Sequence, residues 1–497
     1  MIGNSAFGAL FHSSGLCGGG AGPIGPPQKG RESMEKFLEV VNSVNKAVNN
    51  VVWGPVMLIL LIGTGAYLTI RTGCIQLTKF GYIWRNTIGS LFKKKEGGKG
   101  DGKNLTAFEA VTTALASTVG TGNIAGVTGA IFTGGPGAVF WMWVAAFFGM
   151  FTKFSEIVLA VKFRQVDKDG VHYGGPMYYI EKGLHMKWLA MIFALIAGVA
   201  CFGIGNISQG AEISASLQSL FGVTPLIAGI LLAIVVGIVI LGGIKRIGQI
   251  TSYMVPFMAA FYILAGIAII ILRITDIPAA FATIVKSAFS LEAVGGGLFG
   301  YAIMTAMRQG FARGVFSNEA GLGSAPIAHA ASNTKDPVEQ GMWGVFEVFV
   351  DTIIICTITS LAVILSGVLE AGSTDVFGGN GGAAAAAFNA ILPGTIGGMV
   401  LQISLLFFSL STILGWSYYG ECCWGYLSGN NKVVDIIYKV IFILVCVVGA
   451  TGSGKLMWDI SDTLNGMMAI PNLIALLLLS GTVVKITKEY FKNPLHK

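Results

Sequence analysis

The chain has 497 residues, of which 54% are apolar and 11% charged, with 70 glycines and a net charge of +7. A soluble globular chain carries about 25% charged residues, so a water-soluble enzyme or nucleic-acid-binding domain is excluded, and the positive charge lies mostly in loops on one side. The seven cysteines (Cys17, Cys74, Cys201, Cys356, Cys422, Cys423 and Cys446) show no metal-ligand spacing and read as small buried residues.

Residues 1–33 are rich in Gly, Ser and Pro and are expected to form a disordered extension. They lack the compact basic region and apolar core of a signal peptide. From Met34, residues Phe37, Val40, Val41, Val44 and Val48 recur at helical spacing, which predicts an amphipathic helix lying on a membrane. Apolar runs long enough to cross about 30 Å of hydrocarbon then follow to the end of the chain. Eleven spans are expected, near 52–71, 105–132, 137–162, 186–216, 224–243, 248–273, 283–330, 340–368, 395–424, 432–450 and 456–484. Alternate loops are basic. The first basic loop carries Arg71, Lys79, Arg85, Lys93, Lys94, Lys95, Lys99 and Lys103, the next Lys162, Arg164, Lys168, Lys182 and Lys187, and later ones Lys245, Arg246, Lys485, Lys488 and Lys492. The intervening loops carry almost no basic residues. This bias predicts a cytoplasmic C-terminus and, with an odd span count, an outside N-terminus in the cell membrane.

Within the second span, Leu115 to Val127 reads LASTVGTGNIAGV. Gly costs about 1 kcal/mol of helix propensity relative to Ala, and Asn123 in hydrocarbon needs a partner. Two readings stand here. The helix breaks and its freed carbonyls and amides bind a cation and a carboxylate, or the glycines pack two unbroken helices closely.

This segment can be laid on a later one. Phe108 to Gly126 resembles Leu298 to Gly321, with TTAL and MTAM before a Gly-rich polar interruption. Five spans separate their starts, so the two enter the membrane from opposite faces, as in inverted-repeat transporters. The second interruption is expected at Arg308 to Gly314, with Ser317-Asn318-Glu319 capping a half-helix that runs to about Ala331. Arg308 and Arg313 either belong to the chemistry of this interruption or line the cytoplasmic mouth, structurally paired to acids such as Glu319. The expected organisation is 34–103 for the amphipathic helix, first span and basic loop, 104–273 and 274–484 for two inverted repeats, and 485–497 for a tail.

Gly134 to Gly149 (GGPGAVFWMWVAAFFG), Arg308 to Ala331 and Val52 to Gly73 resemble segments of the alanine or glycine:cation symporter family, and the resemblance runs from about Met34 to Lys488. It implies the fold of the larger LeuT-like group: an all-α polytopic membrane protein with a 5+5 inverted repeat and one extra helix in front. It implies that main-chain carbonyls of Ala116 and Val119 bind sodium with Phe408, Ser411 and Thr412. It further implies that the Thr118 carbonyl and Asn123 side chain match a second sodium site, and that the amides of Thr121 and Gly122 face a substrate carboxylate. Thr412 and Trp416 share one helix face, which puts Trp416 over a small substrate pocket, and Phe311 is a second candidate wall. Gly203, Asn206 and Gln209 share another face, which lines the cavity or makes a polar helix contact. The alternative for Ser411 and Thr412 is a hydrogen bond to their own helix backbone. Glu347, Asp351, Asp459 and Asp462 are acids at or near membrane depth without an assigned role.

The expected function is sodium-coupled uptake of alanine or glycine, with sodium as the coupling ion, no other cofactor, and lipid as the surroundings. A proton-coupled symporter of the same fold is the alternative. A channel lacks a symmetry-repeated filter, and no HExxH, GxSxG or P-loop marks an enzyme.

Overall fold

The computed structural model describes residues 28–91, 103–168, 170–289, 296–452 and 454–493. The extension up to residue 27 and the run Lys93, Lys94, Lys95 and Lys99 lie outside the described residues. The chain divides into Met1–Val44 and Asn45–Lys497. The expected N-terminal helix is present as α1, Gln28–Val52, and begins at Gln28 rather than Met34. Helix α2, Pro55–Thr72, starts on a proline and stops at Gly73, whose φ of 81° gives the left-handed cap that a side chain resists.

The first repeat segment is broken, as the glycines allow. Helix α3, Ala107–Thr118, opens on a capping box between Thr106 and Glu109. It ends at Val119, where the backbone turns extended. A π-helical turn, Gly122–Gly126, then leads into α4, Val127–Gly134. Helix α5, Gly137–Lys162, follows. Helices α6, Lys187–Phe202, and α7, Ser208–Phe221, are joined by a second π turn, Gly203–Ile207. Helices α8, Pro225–Ile240, and α9, Gly243–Leu272, complete this half.

The second half starts with α10, Gly296–Asn318. Here the structure corrects the sequence reading: Arg308 to Gly314 is continuous helix, and the break falls at Glu319–Ser324 before the short α11, Ala325–Ala330. Glu319, Gly321 and Gly323 hold φ of 55°, 92° and 82° there. The two arginines upstream find partners on distant segments. Arg313 bonds Asp462 at 3.1 Å and Arg308 bonds Asn50 at 3.2 Å, so neither pairs with Glu319. Gly310 and Gly314 let α10 press on α5. A Cβ on Gly310 would stand 2.3 Å from the Ala138 carbonyl, and one on Gly314 would stand 3.2 Å from Ala145 Cβ. The stretch read as an interruption is a close-packed glycine seam.

Helix α12, Pro337–Val348, runs through a long π segment, Phe349–Cys356, into α13, Thr357–Leu365. After α14, Asn380–Ile391, come α15, Ile396–Ser428, and α16, Lys432–Thr451. Helix α17, Gly454–Leu478, is followed by α18, Ser480–Lys492, which continues through the expected span end at 484. Tyr490 on α18 meets the Tyr82 hydroxyl at 3.0 Å.

The two broken segments lie head to tail. Leu105, before α3, bridges Ser332, just after α11. At the other end, Gly134 closes α4 against Ala306 and Gln309 of α10. Arg308 and Arg313 therefore sit toward the loops poor in basic residues, not toward the basic end. Eight helices among the described residues are long and apolar enough to cross a membrane. Pro225–Ile240 is shorter, and the broken segments are split into halves, so length alone does not count them. Side chains such as Ile230, Phe257, Leu264 and Leu444 point outward from α8, α9 and α16, the arrangement of helices that meet lipid.

Candidate functional site

The first break meets α15 through missing side chains. A Cβ on Gly120 would stand 2.5 Å from Thr412 Oγ1, and one on Gly415 would stand 1.9 Å from Ser117 Oγ. This contact brings Thr412 Oγ1 to the Ala116 carbonyl, 3.2 Å away. The Thr412 and Ser411 hydroxyls also donate to the Phe408 carbonyl, at 2.9 and 2.8 Å. The backbone-bonded and ion-binding readings of the pair are thus compatible: each hydrogen can turn to its own helix while oxygen lone pairs stay free. Ala116, Phe408, Ser411 and Thr412 form one buried cluster of neutral oxygens. Hard oxygen ligands of this kind suit a small cation.

Asn123 holds the break in shape. Its Oδ1 accepts the Gly120 N–H at 2.9 Å, and its Nδ2 donates to Asp351 Oδ1 at 2.6 Å. Asp351, from the π segment of the second half, also accepts Ser317 Oγ and Thr352 Oγ1, both at 2.8 Å. One carboxylate thereby ties the two broken segments together. Gly122 packs on Phe316, where a Cβ would stand 3.1 Å from the ring.

On the other side of the break, Gln209 Nε2 reaches Thr121 Oγ1 at 3.2 Å and the Ile204 carbonyl at 3.1 Å. Its Oε1 is buried without a hydrogen-bond partner. Asn206 donates to the Phe442 carbonyl at 2.7 Å, and its Oδ1 is likewise unpartnered. Buried orphan acceptors carry a desolvation cost, and a π turn such as Gly203–Ile207 is a frequent mark of function. Trp416 fills the gap left by Gly205, whose Cβ would stand 2.3 Å from Trp416 Cβ. Its Nε1 donates to Glu319 Oε1 at 3.0 Å, which fixes the ring against the second break.

Phe311 is elsewhere. Its ring packs on Trp141 at 5.5 Å, well up α10 from the break at Glu319. The sequence reading brought it close because it placed the break too early. The same reading gave no role to Lys153 and Glu156 and made Glu319 only part of a helix cap or a partner of the arginines, and all three lie buried around the second break. Lys153 and Glu156 stand inside the apolar α5, and a charge inside such a run is itself the signal that could have singled them out.

Among known proteins, the chain matches the model of the sodium:alanine symporter family over residues 38–497. It is 50% identical over 460 residues to the sodium/alanine symporter AgcS of Methanococcus maripaludis, covering 91% of this chain and 97% of that one. It is 35% identical to the probable sodium/glutamine symporter GlnT of Bacillus subtilis, over 93% of this chain and 92% of that one. Its fold matches the crystal structure of MhsT in complex with L-phenylalanine with a TM-score of 0.55 at 14% identity, covering 78% of this chain and 99% of that one. The broken helices, their head-to-tail arrangement and these matches together make the chain a LeuT-fold, multi-pass membrane protein that belongs to the sodium:alanine symporter family.

Proposed function

We propose that the chain takes up a small neutral amino acid, alanine or glycine, driven by sodium. The observation that carries this reading is the neutral oxygen cluster of Ala116, Phe408, Ser411 and Thr412 beside a half-helix N-terminus. Sodium sits among the Ala116, Val119 and Phe408 carbonyls and the Ser411 and Thr412 hydroxyls. The substrate carboxylate meets the amides of Thr121 and Gly122, where the π turn presents its positive end. Gln209 Oε1, an acceptor without a partner, takes the ammonium, and Asn206 Oδ1, also unpartnered, is a second candidate acceptor. Trp416 covers the side chain. A second sodium takes the Thr118 carbonyl and Asn123 Oδ1, with Asp351 supplying negative charge through Asn123. Binding of sodium orders the break and completes the carboxylate site, which couples the two solutes. The basic loops face the cytoplasm, with the N-terminus outside.

Uptake of labelled alanine into proteoliposomes, in sodium against choline and at two pH values, tests the coupling. Equal uptake in choline under a proton gradient assigns the coupling to protons instead. Cysteines placed at Lys168 and Asp375 should react with an impermeant maleimide from opposite sides. Reaction of both from one side overturns the orientation.

A further inference from the structure

A second polar system leaves the breaks in the other direction. Glu347, on α12, accepts Lys153 Nζ at 2.7 Å through Oε1 and pairs with His329 Nε2 at 3.1 Å through Oε2. Thr118, the last residue of α3, reaches Glu347 Oε1 at 3.4 Å. Lys153 Nζ also bonds the Asn318 carbonyl at 2.7 Å, where α10 ends. The other ring nitrogen of His329, Nδ1, bonds Gln340 Nε2 at 2.8 Å, and Thr334 Oγ1 donates to Gln340 Oε1 at 2.6 Å. Lys153, Glu347, His329 and Gln340 are fully buried. Thr334 and Gln340 line a cavity of 650 Å³ with Asn333, Glu339 and Trp343, at the basic end of the fold. The line from Thr334 to Thr118 therefore connects that cavity with the tip of the first broken helix.

We propose that His329 is a proton-binding site, loaded from this cavity through Thr334 and Gln340, whose proton opposes sodium at the first break. The inference rests on the sodium-coupled reading above. Gln340 donates to Nδ1, so the ring holds its single hydrogen on Nε2, toward Glu347. A second proton on Nδ1 needs an acceptor there. A flip of the Gln340 amide supplies its Oε1 and turns its NH2 toward Thr334 Oγ1, which can accept. The hydrogen-bond frame survives, and the added charge remains inside. Glu347 is then shared between two cations, which draws it from Thr118, and a net positive charge faces the carbonyls of Ala116 and Val119. Lys153 on α5 and Glu347 on α12 act on His329 directly, and the elements packed against α11 also carry Glu156 on α5 and Glu109 on α3, with Glu319 in the break before it. Arg164 and His172 are also near, both bonded to the Ser332 carbonyl. Glu109 is engaged with Lys245, and Glu319 with Trp416 and Ser324.

Linkage makes the effect reciprocal: a proton that weakens sodium is itself weakened by sodium. The full chain is reconstituted and the half-saturating sodium concentration for labelled-alanine exchange is measured at equal pH on both sides, with the potential clamped. Sodium-dependent thermal stabilisation of the detergent-purified protein, with no amino acid present, provides a second readout. Between pH 8 and pH 5 the half-saturating sodium should rise about fivefold or more by both readouts, most of it below pH 6.5. H329Q should hold the pH 8 value throughout. Q340E, which sets a carboxylate beside Nδ1, should move the rise to higher pH. A flat response in the unmodified protein, a full response in H329Q or an unmoved midpoint in Q340E overturns the proposal, and the first and last of these do not depend on H329Q folding. Loss of alanine exchange at every pH with an intact sodium-dependent stabilisation counts against the substrate assignment alone, because the thermal readout still decides the proton site.

Discussion

The two breaks are built alike and filled differently. At the second, the carbonyl end of α10 at Asn318 is met by the Lys153 ammonium, and the Gly323 amide is met by the Glu156 carboxylate at 3.1 Å. That break carries its own cation and its own anion. At the first, the groups that meet the backbone are neutral, Thr412 at the Ala116 carbonyl and Asn123 at the Gly120 amide, with Gln209 at the Thr121 hydroxyl, and the carboxylates of Glu347 and Asp351 touch only the side chains of Thr118 and Asn123. A half-helix C-terminus attracts positive charge and an N-terminus negative charge. Where the chain supplies both, the break is a fixed hinge. Where it supplies neither, solutes can complete it, and the occupancy of that break becomes a function of sodium and substrate concentration. On the proposed reading, an internal repeat yields one structural and one binding copy of the same motif.

Removing the internal cation should have the largest effect. Lys153→Met leaves Glu347 buried with one partner fewer, and breaking a buried pair on one side costs about 3–5 kcal/mol. Thermal unfolding in detergent should show a large loss of stability in sodium and in choline alike. Restoration of stability by high sodium in Lys153→Met would put a binding site at the second break and end the contrast.

Gly120→Ala should act the opposite way. The new methyl meets Thr412 Oγ1 in the oxygen cluster, so sodium-driven uptake should be lost while unfolding without sodium shifts little. Gly310→Ala meets the Ala138 carbonyl in the α5 seam, so its loss should be in stability first. If both substitutions lower stability equally and leave the sodium dependence of residual uptake unchanged, the first break is packing as well.

Thr412→Ala is a milder test of the same cluster. It removes one oxygen and should raise half-saturating sodium about tenfold, equivalent to about 1.4 kcal/mol. Selectivity among amino acids should stay as it was. An unchanged sodium dependence rules Thr412 out as a ligand.

The first break was legible because Gly120, Gly122 and Asn123 stand together in an apolar run, where close helix packing would call for the glycines but not for Asn123. The second was misplaced because Arg308, Gln309, Gly310, Arg313 and Gly314 break the same rule for a different reason. Their partners, Asp462, Asn50 and the α5 backbone, are distant in sequence, and composition does not show them. The true break is at Glu319, where a buried carboxylate at φ 55° is held by Trp416 and Ser324. Aligning the two helix ends puts Ser117-Thr118-Val119-Gly120 beside Ser317-Asn318-Glu319-Ala320, a better register than TTAL on MTAM. Lys153 and Glu156 were hidden in a run read for its apolar residues. The joining of Asn123 to Asp351 depends on tertiary folding, which no local pattern carries.

The smallest expected effect concerns Phe311, and it separates the two ways of locating the pocket. A break at Arg308 to Gly314 would set Phe311 over the substrate. In the structure the residue lies on α10 eight positions before Glu319, about 12 Å along the axis at 1.5 Å per residue. Its ring stacks edge-on against Trp141, which also meets Phe140 and Phe289. Phe311→Leu should therefore cost about 1 kcal/mol of stability, as core swaps that keep most of the volume do. It should leave competition of alanine uptake by glycine, leucine and phenylalanine unchanged. Trp416→Ala provides the contrast. That ring is held between Gly205 and Glu319 at the meeting of both breaks, so its loss should admit leucine while weakening alanine. One methylene in a filled pocket is worth about 1–3 kcal/mol of discrimination, enough to reorder the competition panel. If Phe311→Leu admits leucine and Trp416→Ala does not, the pocket lies along α10, and Trp416 only braces Glu319.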